Sequence, residues 1–123
     1  MTKVNERLIK DELIKFFELS REKIDDLKMP RCIIDEYWHE LLELENEYEK
    51  FCIKYAGRII FHEKSGGEEV LEWVKRYEQN YGVLSPLWFT DKFRELDIKS
   101  YEQYKQSGIV KLSWDCQPAI RDN

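Results

Sequence analysis

Asp35, His39, Cys52 and His62 are the residues whose types and spacing could hold a metal ion or run nucleophilic chemistry. Two imidazoles, a thiolate and a carboxylate make an acceptable tetrahedral zinc shell. Asp35 and His39 lie four residues apart and share a face if that stretch is helical. Cys52, on the inward side of a following helix, could meet them, and His62 could return to the same place after Gly57. Alternatively, Cys52 as nucleophile, a histidine as base and Asp35 as orienter would echo a catalytic triad. Two features weigh against these readings. The spacing H-x12-C-x9-H matches no compact zinc signature. Cys52 also lies mid-helix on an apolar stripe, whereas attacking thiolates favour helix N-termini or cationic neighbours. The plain alternative makes Cys52 a small buried hydrophobe, His39 a helix histidine paired to Asp35, and His62 a capping or core donor.

The same stretch carries a second pattern. Asp35, Glu36, Glu40, Glu43, Glu45, Glu47 and Glu49 run without an intervening Lys or Arg. Glu36, Glu40, Glu43 and Glu47 are spaced four, three and four apart, so a continuous helix would set them in one outward stripe. Like charges at this spacing cost a few tenths of a kcal/mol per pair, which a cationic partner would offset. The net charge of −5 argues against a nucleic-acid binder and permits a basic protein partner. The leading expectation is therefore a non-enzymatic acidic binding protein of the immunity or antitoxin kind. It would neutralise a basic partner, such as a nuclease toxin, through Glu36, Glu40, Glu43, Glu47 and Glu49, with no cofactor. The alternative is a small zinc- or thiol-dependent enzyme centred on His39, Cys52 and His62, with Asp35 as a further ligand. A third option is a subunit completed by a copy of itself.

The elements that would position these residues read as follows. Leu8, Ile9, Leu13, Phe16 and Phe17 predict an amphipathic helix over 4–19, with Asn5 or Thr2 as cap. Ser20 starts a short helix to Leu27, ended at Met29-Pro30. Ile34, Trp38, Leu41, Leu42 and Leu44 line the next helix. Asn46 with Glu49 three residues on is a capping-box spacing, so a fresh helix is expected from Glu47 to Ala56, closed by Gly57. Ser65-Gly66-Gly67 is a loop signal, and Glu68 to Gln79 a helix. Ser85-Pro86 is a helix start, and Ser100 caps a last short helix ended by Gly108. Ile109–Trp114 alternates and could pair with Ile59–Phe61. Trp38, Trp73, Trp88 and Trp114 are expected as core anchors.

The ordered set Asp35, Trp38-His39, Tyr48, Cys52, Gly57 and His62, followed by Tyr81-Gly82, Pro86 and Trp88, resembles the small bacterial relatives of the glycine-rich-domain-like proteins. The similarity spans roughly residues 32–90. It departs at Glu45, where that family often has Thr or Pro, and at Phe61-His62-Glu63, where it often has paired histidines and a proline. The resemblance implies a mostly helical fold and a grouping of these residues; it names no activity.

At 123 residues, 42% hydrophobic and 37% charged, the chain is expected to form one compact, mostly α domain over 1–116. About five or six helices are expected, with at most a small two-stranded element near 59–62 and 109–114, and a loose tail over 117–123. No apolar run approaches the roughly 20 residues of a membrane span, and Cys32, Cys52 and Cys116 include no CxxC pair. A cytoplasmic location is the expectation.

Overall fold

Ile9, Leu13, Phe16 and Phe17 recur at helical spacing and are all buried along the first helix, α1 (Lys3–Leu19). The computed structural model describes residues 3–120, with side chains from Glu6 onward. The capping expected of Thr2 and of the Asn5 side chain lies outside what is described. Beyond α1 the chain turns rather than starting a new helix. The amides of Ser20, Arg21 and Glu22 bond back to Phe17, Glu18 and Leu19, so the short helix expected over 20–27 is absent.

Two helices then pack on α1. The first, α2 (Ile33–Leu42), has Cys32 at its N-terminal cap. The second, α3 (Glu45–Ala56), has Leu44 as its cap, with no side-chain cap hydrogen bond. The break between them is real, but the capping box expected from Asn46 and Glu49 does not make it. Gly57 ends α3 at φ 78°, the left-handed conformation that glycine adopts without steric cost.

The remaining elements include α4 (Trp73–Tyr81), a 3-10 helix at Pro86–Phe89 and α5 (Ile98–Ser107). Ser85 Oγ accepts the Leu87 amide, and Asp97, rather than Ser100, caps α5. The strands are β1 (Met29–Pro30), β2 (Phe61–Val70) and β3 (Lys111–Ala119). They form an antiparallel sheet in the order β1-β3-β2.

This sheet corrects the expected fold class. Among the described residues the chain is a mixed α and β structure, five α-helices with a three-stranded antiparallel sheet, instead of a mostly α domain with a two-stranded element. Four misreadings have one physical cause, that cross-strand pairing overrode local turn chemistry. Ser65-Gly66-Gly67 is not a loop but a register shift inside β2, between Lys64 and Gly67. Glu68–Val70 is strand, so α4 starts at Trp73 instead of Glu68. Gln117–Ala119 completes β3 opposite Phe61–Glu63, so the loose tail does not begin at 117, while residues 121–123 lie outside the description. Met29-Pro30, expected only as a connection, is the third strand.

Gly67 has a specific reason to be glycine. A Cβ there would sit 2.5 Å from Trp114 Cζ2, so the indole lies against bare backbone at the bulge. Trp38, Trp73, Trp88 and Trp114 are all buried, and Phe16 contacts the first three edge-on or tilted at ring centroid distances of 5.2–6.3 Å.

Candidate metal centre

The geometry of α2 puts Asp35 and His39 on one face, one turn apart. His39 Nε2 lies 3.3 Å from Asp35 Oδ1. A chain of contacts brings His62 to the same point. The Trp38 indole N–H donates to Tyr48 Oη at 3.1 Å, and that hydroxyl donates to the Ile60 carbonyl at 2.6 Å. Tyr48 on α3 therefore ties α2 to the backbone just before β2. His62, two residues further on, meets Trp38 edge-on at 4.7 Å between centroids. Its Nε2 lies 2.9 Å from His39 Nε2.

The fourth member comes from the sheet. In β3, Cys116 pairs with Met29 on one side and Lys64 on the other, and its side chain is buried on the core-facing side. Its thiol donates to Asp35 Oδ1 at 3.1 Å. One donor atom from each of Asp35, His39, His62 and Cys116 lies within 4.8 Å of every other.

Three of the four residues expected as ligands, Asp35, His39 and His62, thus converge. Cys52 does not, and this corrects the expected set. Its sulfur faces the Ile60 carbonyl at 4.0 Å, within the α3 core. Cys116 takes its place and was missed because no spacing links it to the others: the pairing of β3 with β1 and β2 delivers it. A buried cysteine in an alternating strand was the one available signal.

The donor set fits zinc. Ligand distances of about 2.0–2.3 Å in a tetrahedron put donor atoms about 3.3–3.6 Å apart; the shortest contacts here are 2.9, 3.1 and 3.3 Å, and all four donors lie within 4.8 Å of one another. Burial is the main influence on the groups themselves. It raises the Asp35 carboxyl above its ordinary value, while the Cys116 hydrogen bond and the His39 charge act the other way. Burial, reinforced by the Asp35 charge, pushes the Cys116 thiol well up. Burial and the charge of His39 lower His62, which favours the neutral imidazole that a metal requires. A metal ion would reverse the cost borne by Asp35 and Cys116, because both would face a cation instead of low-dielectric core.

The acidic residues fall on two helices, as the expected break before Glu47 implied, and not on the continuous helix that was the alternative. Glu36 and Glu40 are on α2, Glu43 caps its C-terminus, and Glu47 and Glu49 are on α3. The break at Leu44 splits the single stripe that a continuous helix would have made. None of the five glutamates makes an ion pair among the described residues. No helix among the described residues is long and apolar enough to cross a membrane.

No curated protein and no solved structure matches this chain. A family model described as UCP032817-like matches residues 1–106. The matched span holds Asp35, His39 and His62 and ends before β3 and Cys116. On that match, the chain belongs to the UCP032817-like family.

Proposed function

We propose that this chain is a small zinc-dependent protein whose working centre is Asp35, His39, His62 and Cys116. One observation carries the reading: four chemically suitable donors from α2, β2 and β3 meet within 4.8 Å. Two imidazole nitrogens 2.9 Å apart beside a buried carboxylate suit a cation held between them. The thiol-enzyme form of the reading draws no support. All three cysteines are buried, and burial raises each thiol, Cys32 to about 12, away from the reactive thiolate. The test is elemental analysis of protein purified without a metal-affinity tag. One zinc per chain is expected, lost on His39→Ala and Cys116→Ser and kept on Cys52→Ser. Metal-free protein that takes up no zinc on addition would sink the reading.

A second reading, an acidic immunity- or antitoxin-type binder of a basic protein, is supported by Glu36, Glu40, Glu43, Glu47 and Glu49 having no ion-pair partners among the described residues. Reversing Glu40, Glu43 and Glu47 to Lys should abolish capture of such a partner and leave zinc content unchanged. Capture that survives the reversal excludes this face.

A further inference from the structure

A groove among the helices shares no residue with the metal centre. Its walls come from α1, α2 and α3, and its volume is about 300 Å³. Ligand pockets span roughly 300–1,000 Å³, so this one suits a small molecule. Leu41 and Leu44 make part of the lining apolar, and Leu44 is left 56% exposed. The rest of the apolar lining is aromatic. Phe51 meets Tyr55 edge-on at 4.9 Å between centroids, and Tyr37 brings a third ring from α2. Rings held in this way favour another ring as their next contact, edge-on or offset.

The charges give the groove a sign. Lys10 from α1 and Lys50 and Lys54 from α3 line it, against one acid, Glu47. In a chain of net charge −5 this is a local surplus of positive charge. None of the three lysines makes an ion pair among the described residues, and the Lys54 ammonium rests over the Tyr55 ring at 5.2 Å. Lys50 and Lys54 are one helical turn apart, so their charges repel until an anion sits between them. The charges of Glu6 and Glu40 act on the Tyr37 hydroxyl, so the surroundings of that hydroxyl disfavour an anion and the place for one is at Lys50 and Lys54. Two ammoniums match the two oxygens of a carboxylate, and the lining holds no arginine fork for the further oxygens of a phosphate.

We propose that this groove binds a small aromatic carboxylate. Its ring lies against Tyr37, Phe51 and Tyr55, and its carboxylate sits between Lys50 and Lys54, with Lys10 adding charge from the facing helix. The site stands independently of the zinc reading.

The test titrates the full chain with naphthalene carboxylate and, separately, with the neutral naphthalene carboxamide, both followed by equilibrium dialysis. Saturable binding of the carboxylate at one site per chain is expected, about tenfold tighter than the carboxamide. Lys50→Gln and Lys54→Gln, at exposed positions, should each weaken the carboxylate about threefold and leave the carboxamide unchanged. Leu44→Asp puts a negative charge into the groove at the cap of α3, a position where Asp is favoured, so it should abolish carboxylate binding while the helices stay folded. No saturable binding of the carboxylate to the wild type overturns the inference. Equal affinity for the carboxylate and the carboxamide overturns the ligand class. Carboxylate binding unchanged in Lys50→Gln, Lys54→Gln and Leu44→Asp overturns the site.

Discussion

The Nε2 atoms of His39 and His62 stand 2.9 Å apart, one imidazole on a helix and the other on a strand. Without a cation, this contact requires one ring to donate and the other to accept, and it is stable only while the pair is not doubly protonated. Zinc bound by both nitrogens at about 2.0–2.1 Å in a tetrahedral angle sets them about 3.3 Å apart. A crystal structure of the zinc-loaded chain should therefore show the two rings separated by about 0.4 Å more than here, with no shift of α2 against β2. An unchanged 2.9 Å contact, with zinc bound elsewhere, would falsify the assignment of these histidines as ligands.

Cysteine substitutions separate the two thiols that sequence alone could not. Zinc at about a hundred times its dissociation constant should raise the melting temperature by about 10 °C in the wild type. Cys52→Ser should keep that increment, because Cys52 faces the Ile60 carbonyl and not the centre. Cys116→Ser should lose most of it. Thermal melts with and without added zinc check this, and equal increments in the two variants would contradict the placement.

Asp35 is a carboxylate that the metal-free fold accommodates at a cost. Burial raises its folded value above the ordinary 3.8, so the native state holds a proton on this group over a pH range where the unfolded chain has lost it. Its contribution to stability therefore falls as pH rises from the ordinary carboxyl value through the raised one. Asp35→Asn should flatten that fall in the metal-free protein and abolish zinc binding. Urea midpoints measured across acid to neutral pH should converge at the acid end and favour the variant at neutral pH. A wild-type advantage at neutral pH without metal would show that His39 outweighs desolvation.

Gly67→Ala tests the bulge. The added methyl meets the Trp114 ring at a distance that real contacts do not reach, so either the indole or the strand must move. A loss of about 1–3 kcal/mol is expected from chemical denaturation. Trp114 lies two residues from Cys116 on the same strand face, so zinc affinity should fall too. Full stability in the alanine variant would mean that β2 carries no register constraint at this point.

Periodicity and turn chemistry by themselves determined α1, the region of α2 and α3, and the Gly57 and Gly108 ends, because helix signals are local in the chain. They also determined that Asp35 and His39 share a face, since that follows from 3.6 residues per turn. The role of His62 was legible only as a possibility, since its approach depends on Tyr48 holding the Ile60 carbonyl and the Trp38 indole together. Two things were decided by the tertiary structure alone: the sheet, and the meeting of Cys116 rather than Cys52 with Asp35. The reason is common to both. Strand partners and metal donors are chosen by contacts between residues far apart in the chain, such as Cys116 and Asp35, and no spacing rule spans that distance.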